Sequence, residues 1–144
     1  SRGHLALASN DPYQAIQIHQ NFFSAPRDMD VLLEGLDIVR SVMTQPALDP
    51  HRGRELTPGA DVTSREGLEA HVRQSCVTVH HPLGTCRMGV DEMAVVNGNL
   101  NVQGIDGLRV VDASVMPDMT SGNINAPVIM IAEKAADIIR GVSL

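Results

Sequence analysis

Two adjacent histidines, His80 and His81, stand immediately before Pro82. An imidazole titrates near neutral pH, so either ring could accept a proton in an enzymatic reaction. The β-branched residues before them predict a strand, in which successive side chains point to opposite faces. We therefore expect only one of the two rings to face a given cleft. A structural or surface role is the alternative for each.

Two glycines, Gly84 and Gly89, follow the histidines and enclose Thr85–Met88. Glycine lets the backbone pass close to a planar ligand or another chain segment. Cys86 lies between them, and a metal site built from His80, His81 and Cys86 is a competing interpretation. It is the less favoured one, because adjacent histidines on a strand diverge.

Asn123 and Asn125 stand at the start of a predicted helix that carries Ile131, Ala135, Ile138 and Ile139 on one face. Asparagine is a good N-cap, so helix capping is the simplest interpretation of either residue. The preceding apolar run Leu108–Asp112 predicts a strand buried between helices. A buried strand, a glycine-containing loop and a helix N-terminus together form a common site for an anionic group or a cofactor.

The first half of the chain contains the elements that would support such a site. Two short strands are predicted at 4–9 and 15–19, around the turn Asn10–Pro12. A helix is predicted from the N-cap Ser24 and Pro26 to just before Pro46, with an apolar stripe of Met29, Leu32, Leu36, Val39 and Met43. A loop over 47–62 and a capping box of Thr63 and Glu66 then lead into a second helix that ends near Cys76.

The composition limits the possible functions. The chain has 144 residues with 11 basic and 17 acidic side chains, a net charge of −6, and the basic residues are scattered, which excludes a general nucleic-acid binder. Hydrophobic residues make up 43% and only three residues are aromatic, so a globular domain with an aliphatic core is expected. No segment has the apolar length of a membrane span. Cys76 and Cys86 are expected as free thiols in a reducing compartment, the cytoplasm.

Three motifs follow one another in the second half of the chain: Val79–Gly89 (VHHPLGTCRMG), Gly107–Pro117 (GLRVVDASVMP) and Gly122–Pro127 (GNINAP). This series resembles the C-terminal region of the glucose-methanol-choline (GMC) flavin oxidoreductases, and in particular the branch of the bacterial choline dehydrogenases. Shorter segments near the start are also similar to the family: Ser1–Gly3, Asp11-Pro12 and Pro26–Asp28. The resemblance thus covers nearly the whole chain.

The resemblance implies roles for particular residues. The family's catalytic base falls on His81, and its second active-site position, a histidine or asparagine, falls on Asn125. Asp112 and Ala113 would contact the ribityl and diphosphate part of FAD. Ala126 and Pro127 would lie beside the pyrimidine end of the isoalloxazine.

The implied reaction is the oxidation of a primary alcohol by hydride transfer to the flavin N5 atom. Removing the hydroxyl proton favours this transfer because the negative charge on the oxygen drives the hydride out. His81 would accept the proton, and Asn125 would hold the substrate oxygen in one orientation.

The family's Gly-x-Gly-x-x-Gly turn, which holds the FAD diphosphate, occurs nowhere in the sequence. We therefore expect a C-terminal fragment with an α+β fold that binds FAD poorly alone. Residues 1–93 would belong to the substrate-binding domain, an antiparallel sheet with helices, and residues 94–144 would add the closing strand and helix of a Rossmann-like FAD-binding domain. The expected partners are an alcohol substrate and the N-terminal FAD-binding portion, or a second copy of the chain.

Two other functions stay open. Hydroxynitrile lyases resemble the same family and use a histidine with little redox change of the flavin, and the segment could instead be an interaction module without activity. Choline is slightly disfavoured as substrate, because Tyr13, Phe22 and Phe23 are the only aromatic side chains available for a trimethylammonium cage and lie far from His81 in sequence.

Overall fold

The computed structural model describes residues 1–142 and divides the chain into two compact units, Ser1–Val77 and a second unit from Thr78 onward. The described residues form three α-helices and one two-stranded antiparallel sheet, which confirms the α+β class. The boundary between the two units falls after Val77. The assignment of 1–93 and 94–144 to two domains of a larger enzyme stays a prediction. None of the described helices combines the length and apolarity needed to cross a membrane.

The first unit begins with a short hairpin of β1 (His4–Ala6) and β2 (Gln17–His19). The strands pair His4 with His19, Leu5 with Ile18 and Ala6 with Gln17. The predicted turn is present, because the Tyr13 N–H donates to the Asp11 carboxylate at 2.9 Å. Both strands lie where they were predicted but are only three residues long.

Helix α1 spans Pro26–Met43, and its N-cap is Ala25 rather than the predicted Ser24. The side chains that α1 buries are Met29 and Leu33, which pack with Leu68 and Val72 of the second helix. Burying a side chain of this size contributes about 1.5–3 kcal/mol. The predicted stripe is wrong in part, because Leu32, Val39 and Met43 are exposed. Apolar residues stand on several sides of α1, so their spacing alone does not identify the buried side.

Residues 44–62 are mostly irregular, as predicted for 47–62, apart from one 3₁₀ turn at Pro46–Leu48. Arg40 of α1 fixes this loop, because its guanidinium donates to both Glu55 carboxylate oxygens and to the Gly59 carbonyl. These hydrogen bonds lower the pKa of Glu55. The contribution of this ion pair is therefore present above the ordinary range of a glutamate and is lost as the pH falls through the lowered value.

Helix α2 spans Arg65–Ser75, and its N-cap is Ser64 rather than the predicted Thr63. The Ser64 hydroxyl accepts a hydrogen bond from the Gly67 N–H at 3.1 Å. A Cβ at Gly67 would lie 3.0 Å from a Val62 methyl and 3.1 Å from that hydroxyl, so glycine makes this close approach possible. The observed cap is not a capping box, because the residue three positions after Ser64 is Gly67, which has no carboxylate to bind the N-cap N–H.

We expect Ser64→Ala to lower the free energy of unfolding by about 0.5–2 kcal/mol, since the N–H of Gly67 loses its acceptor. Thr63→Ala is the matched control and should change it by less than about 0.5 kcal/mol. Urea denaturation followed by circular dichroism measures both. A larger loss of unfolding free energy in Thr63→Ala than in Ser64→Ala would support the predicted capping box of Thr63 and Glu66 instead.

The second unit contains little regular structure before its helix. Its core is formed by Val96, Leu100, Val115 and Ala135. The predicted buried strand at Leu108–Asp112 is absent: Arg109 makes a single antiparallel bridge with Asn101, and Leu108 is exposed. Gly104 and Gly107 both adopt positive φ before this run, so the chain turns sharply there and only a short pairing forms.

Helix α3 spans Asn125–Arg140 and ends at Gly141 in the left-handed conformation. The N–H groups of Gly141 and Val142 return to the carbonyls of Ile138 and Asp137, a glycine-terminated helix end. Of the predicted apolar face, Ala135 is buried, Ile131 and Ile138 are half-buried, and Ile139 is exposed.

Candidate active site

His81 lies in an irregular segment near the start of the second unit. The predicted strand at 77–82 is absent, because His80 adopts a φ of 61° and its N–H donates to the Thr78 hydroxyl at 3.1 Å. The alternation of a strand therefore does not separate the two histidines, but burial does: His80 is exposed and His81 is half-buried. Within residues 1–142 the His81 ring makes no hydrogen bond or ion pair.

The segment after His81 is attached to the second unit by backbone hydrogen bonds. The N–H of Cys86 donates to the Ser114 carbonyl at 3.0 Å, and the N–H of Met88 donates to the Val115 carbonyl at 2.8 Å. Gly84, with a φ of 85°, turns the chain into this register, and a Cβ there would lie 3.5 Å from the Met116 carbonyl oxygen. The first motif thus runs alongside the second motif. A Cβ at 3.5 Å would make an ordinary contact, so it is the positive φ of Gly84 that favours glycine there.

An ion pair of Arg87 and Asp91 holds the loop that begins at Cys86. Arg87 donates to both Asp91 carboxylate oxygens, at 2.8 and 2.5 Å, and the Met93 N–H donates to Asp91 as well. These hydrogen bonds lower the pKa of Asp91 to about 2. The pair is therefore intact above the ordinary range of an aspartate and is lost only as the pH falls through about 2. The sequence interpretation missed this pair, although its i,i+4 spacing of opposite charges was visible.

Asp112 and Ala113 lie in the second motif, next to the residues that anchor the first. One Asp112 oxygen accepts a hydrogen bond from the Ser114 N–H at 2.7 Å and caps a 3₁₀ turn over Ala113–Val115. Asp112 is exposed, and Val115 at the end of the turn is fully buried in the core. The turn thus fixes the Asp112 backbone while one carboxylate oxygen stays available to a ligand.

Asn125 is the first residue of α3 and is exposed, like Ala126, whereas Pro127 is half-buried. The N-cap is Ile124, and no side chain caps this helix. Capping therefore explains neither Asn123 nor Asn125. Within the described part of the chain the Asn125 amide has no hydrogen-bond partner. The first helical bond is the one from the Val128 N–H to the Ile124 carbonyl, so the N–H groups of Asn125 and Ala126 are also unpaired there.

The structure places all six predicted site residues in the second unit: His81, Asp112, Ala113, Asn125, Ala126 and Pro127. Backbone hydrogen bonds join the His81 segment to the turn after Asp112. Val115 of that turn shares one apolar core with Ala135 of α3. No hydrogen bond joins the side chains of His81 and Asn125. A recess of about 400 Å³ elsewhere in this unit is lined by Asn97, Asn101 and residues 102–107 and contains none of the six.

The competing metal site has no support in the described residues. Among residues 1–142 no three His, Cys, Asp or Glu side chains lie close enough together to hold a metal ion. Cys86 is half-buried with a free thiol. His80, His81 and Cys86 therefore do not form a three-ligand site.

Comparison with known proteins identifies relatives of this chain. A family model described as GMC oxidoreductase matches residues 1–132. The oxygen-dependent choline dehydrogenase of Pseudomonas savastanoi pv. phaseolicola (strain 1448A / Race 6) is 52% identical over 141 residues, which cover 98% of this chain and 25% of that enzyme. The chain therefore spans about a quarter of the length of such relatives.

Solved structures of known proteins contain a portion with the same fold as this chain. Pyridoxine 4-oxidase from Mesorbium loti superposes with a TM-score of 0.90 at 34% identity, covering 99% of this chain and 28% of that one. An FAD-dependent oxidoreductase from Chaetomium thermophilum superposes with a TM-score of 0.91 at 30% identity, covering 98% and 25%. The chain is thus similar to one portion of larger flavin-dependent enzymes.

Proposed function

Because the chain matches the C-terminal domain of the GMC oxidoreductases and so belongs to that family, we propose that it supplies the proton-accepting and substrate-positioning residues of an FAD-dependent enzyme that oxidises a primary alcohol. One observation carries the proposal. His81 and Asn125, the two positions singled out by the motifs, have side chains that the fold does not use, since neither makes a hydrogen bond within residues 1–142. Polar side chains without an intramolecular hydrogen bond have donors and acceptors available to a ligand.

The residues of the second unit fit a flavin by the chemistry of their donors and acceptors. The unpaired N–H groups of Asn125 and Ala126 and the absence of acidic residues in the first turn of α3 suit an electron-rich group such as the pyrimidine oxygens of the isoalloxazine. The free oxygen of Asp112 is an acceptor that suits ribityl hydroxyls better than a diphosphate, because two anionic groups repel. Asp112, Ala113, Ala126 and Pro127 would therefore hold the flavin end of FAD.

Within this site His81 would accept the proton of the substrate hydroxyl on a ring nitrogen. Partial burial restricts the ring, while the lack of an intramolecular partner leaves its nitrogens available. A positioned base of this kind contributes about 10²–10⁴ in rate. FAD, when bound, accepts the hydride that leaves the carbon atom.

Asn125 would donate its amide N–H to the substrate oxygen. This hydrogen bond orients the hydroxyl and becomes stronger as the oxygen loses its proton and gains negative charge. The position of Asn125 at an exposed helix start without a side-chain cap supports this role. The field of the helix N-terminus favours the same negative charge.

Choline is the first alcohol to test, because the choline dehydrogenase of Pseudomonas savastanoi is 52% identical over almost the whole chain. Although Tyr13, Phe22 and Phe23 are the only aromatic residues in the chain, a longer polypeptide could supply a cage for the trimethylammonium group.

Anaerobic reduction of the bound flavin tests the proposed function. The full-length enzyme that contains this chain, purified with FAD, should lose its visible flavin absorbance when choline or another primary alcohol is added. The O-methyl ether of choline, which has no hydroxyl proton, should leave the absorbance unchanged. Flavin that stays oxidised with every primary alcohol would contradict the proposal, and cleavage of a cyanohydrin with no net flavin reduction would favour the lyase alternative.

A further inference from the structure

Two histidines outside the candidate active site form a stacked pair on the hairpin of the first unit. His4 in β1 and His19 in β2 are direct partners in the antiparallel register. Their ring centroids lie 4.4 Å apart, with an angle of 13° between the ring planes. Both residues are exposed. Direct partners in an antiparallel sheet project from the same face, so the register itself brings these rings together.

The nitrogens of this pair are not used by the fold. Within residues 1–142 neither imidazole makes a hydrogen bond or an ion pair, and the contact between the two rings is the interaction recorded for them. The contact between two stacked rings adds little stability to the fold when both rings are exposed to water. Two imidazoles on directly paired strand residues are, however, close enough together to bind one metal ion.

We propose that His4 and His19 together bind one divalent transition-metal ion, with Cu²⁺ preferred over Ni²⁺ and Zn²⁺. Two imidazole nitrogens that each bind one ion at about 2.0–2.1 Å are about 3 Å apart. Because a metal ion lies in the plane of each ring that binds it, both rings must turn out of the stack to bind one ion, and their exposure permits this rotation. Imidazole suits copper, nickel and zinc, whereas calcium and magnesium require oxygen ligands.

The rest of the coordination shell comes from water. No third His, Cys, Asp or Glu in the described part of the chain completes a metal-binding cluster with the pair. The next pair on this face, Ala6 and Gln17, is uncharged. The site is therefore an exposed two-residue chelate that joins β1 to β2. Because a hairpin of two three-residue strands is marginal alone, a bound ion would hold the strands in register. This inference does not depend on the proposed function.

Titration of the full-length enzyme that contains this chain with Cu²⁺ tests the site. We expect one Cu²⁺ held by two imidazole nitrogens in the electron paramagnetic resonance spectrum. His4→Ala and His19→Ala should each weaken this binding by about 10²-fold, because each removes one arm of the chelate. Both residues are exposed, so neither substitution removes core packing.

His51→Ala is the matched control, because His51 is also exposed but lies in the loop after α1. It should leave the affinity for Cu²⁺ unchanged. The proposal is overturned if His4→Ala or His19→Ala binds Cu²⁺ as tightly as the unaltered chain. It is equally overturned if the spectrum shows a single imidazole ligand or if His51→Ala causes the larger loss.

Discussion

Replacing His81 by glutamine in the full-length enzyme should lower kcat/KM for the alcohol by about 10²–10⁴-fold, because the substrate hydroxyl loses its positioned proton acceptor. Glutamine has a similar size and stays polar, but its amide does not accept a proton at neutral pH. The thermal unfolding temperature should be unchanged, since the His81 ring makes no hydrogen bond within residues 1–142. Steady-state kinetics together with calorimetry measure both quantities.

His80→Gln is the matched control. It changes the neighbouring residue in the same way, on a side chain that is exposed and lies in a turn. Its kcat/KM should stay within a factor of a few of the wild-type value. If His80→Gln caused the larger loss, the roles assigned to the two histidines would have to be exchanged.

Replacing Asn125 by alanine should lower kcat by about 10²–10³-fold with a smaller change in KM, since the donor acts mainly as charge develops on the substrate oxygen. Asn125→Asp should be at least as damaging, because a carboxylate repels that charge and donates no hydrogen bond. Stopped-flow measurement of flavin reduction separates this effect from product release. FAD content should also be measured, because the N–H groups beside Asn125 are proposed to contact the flavin.

Asn123→Ala provides the control for Asn125. The structure shows that α3 has no side-chain cap, so removing either amide should leave the helix equally stable. Alanine at 123 should therefore leave both kcat and the unfolding temperature near the wild-type values. Equal losses of activity in the two alanine variants would show that the segment acts through its shape rather than through the Asn125 amide.

Local sequence signals predicted much of the fold. Pro26 in the first turn and the apolar residues of α1 predicted that helix, and Asp11 predicted the turn between the two strands. The side of α1 that is buried could not be read from the sequence, because Leu32 and Val39 are as apolar as Met29 and Leu33 but are exposed. The choice depends on where Leu68 and Val72 of α2 pack, which is a tertiary property.

In the second unit, side-chain composition predicted a strand that does not form. The run Leu108–Asp112 has the composition of a buried strand, yet it forms one bridge, because a strand needs a partner of matching length as well as suitable side chains. Its neighbours here are short segments interrupted by Gly104 and Gly107. The prediction of a buried segment is met only in part, because Val110 and Val111 are half-buried.

The candidate site was visible in the sequence only through its motifs. Composition and spacing left His80 and His81 equivalent, and the family resemblance alone selected His81. The structure adds the turn at His80 and the partial burial of His81. The hydrogen bonds from Cys86 and Met88 to Ser114 and Val115 join segments distant in sequence, so no local signal predicts them. The capping interpretation of Asn125 was reasonable from propensity, and the structure shows that α3 starts without it.

The rate of flavin reduction in a single anaerobic turnover tests the role of His81 most directly. In the wild-type enzyme the alcohol should reduce the flavin, and in His81→Gln the rate of this reduction should fall by about 10²–10⁴-fold, because the substrate hydroxyl loses its proton acceptor. A variant that kept the wild-type rate would show that another group accepts the proton.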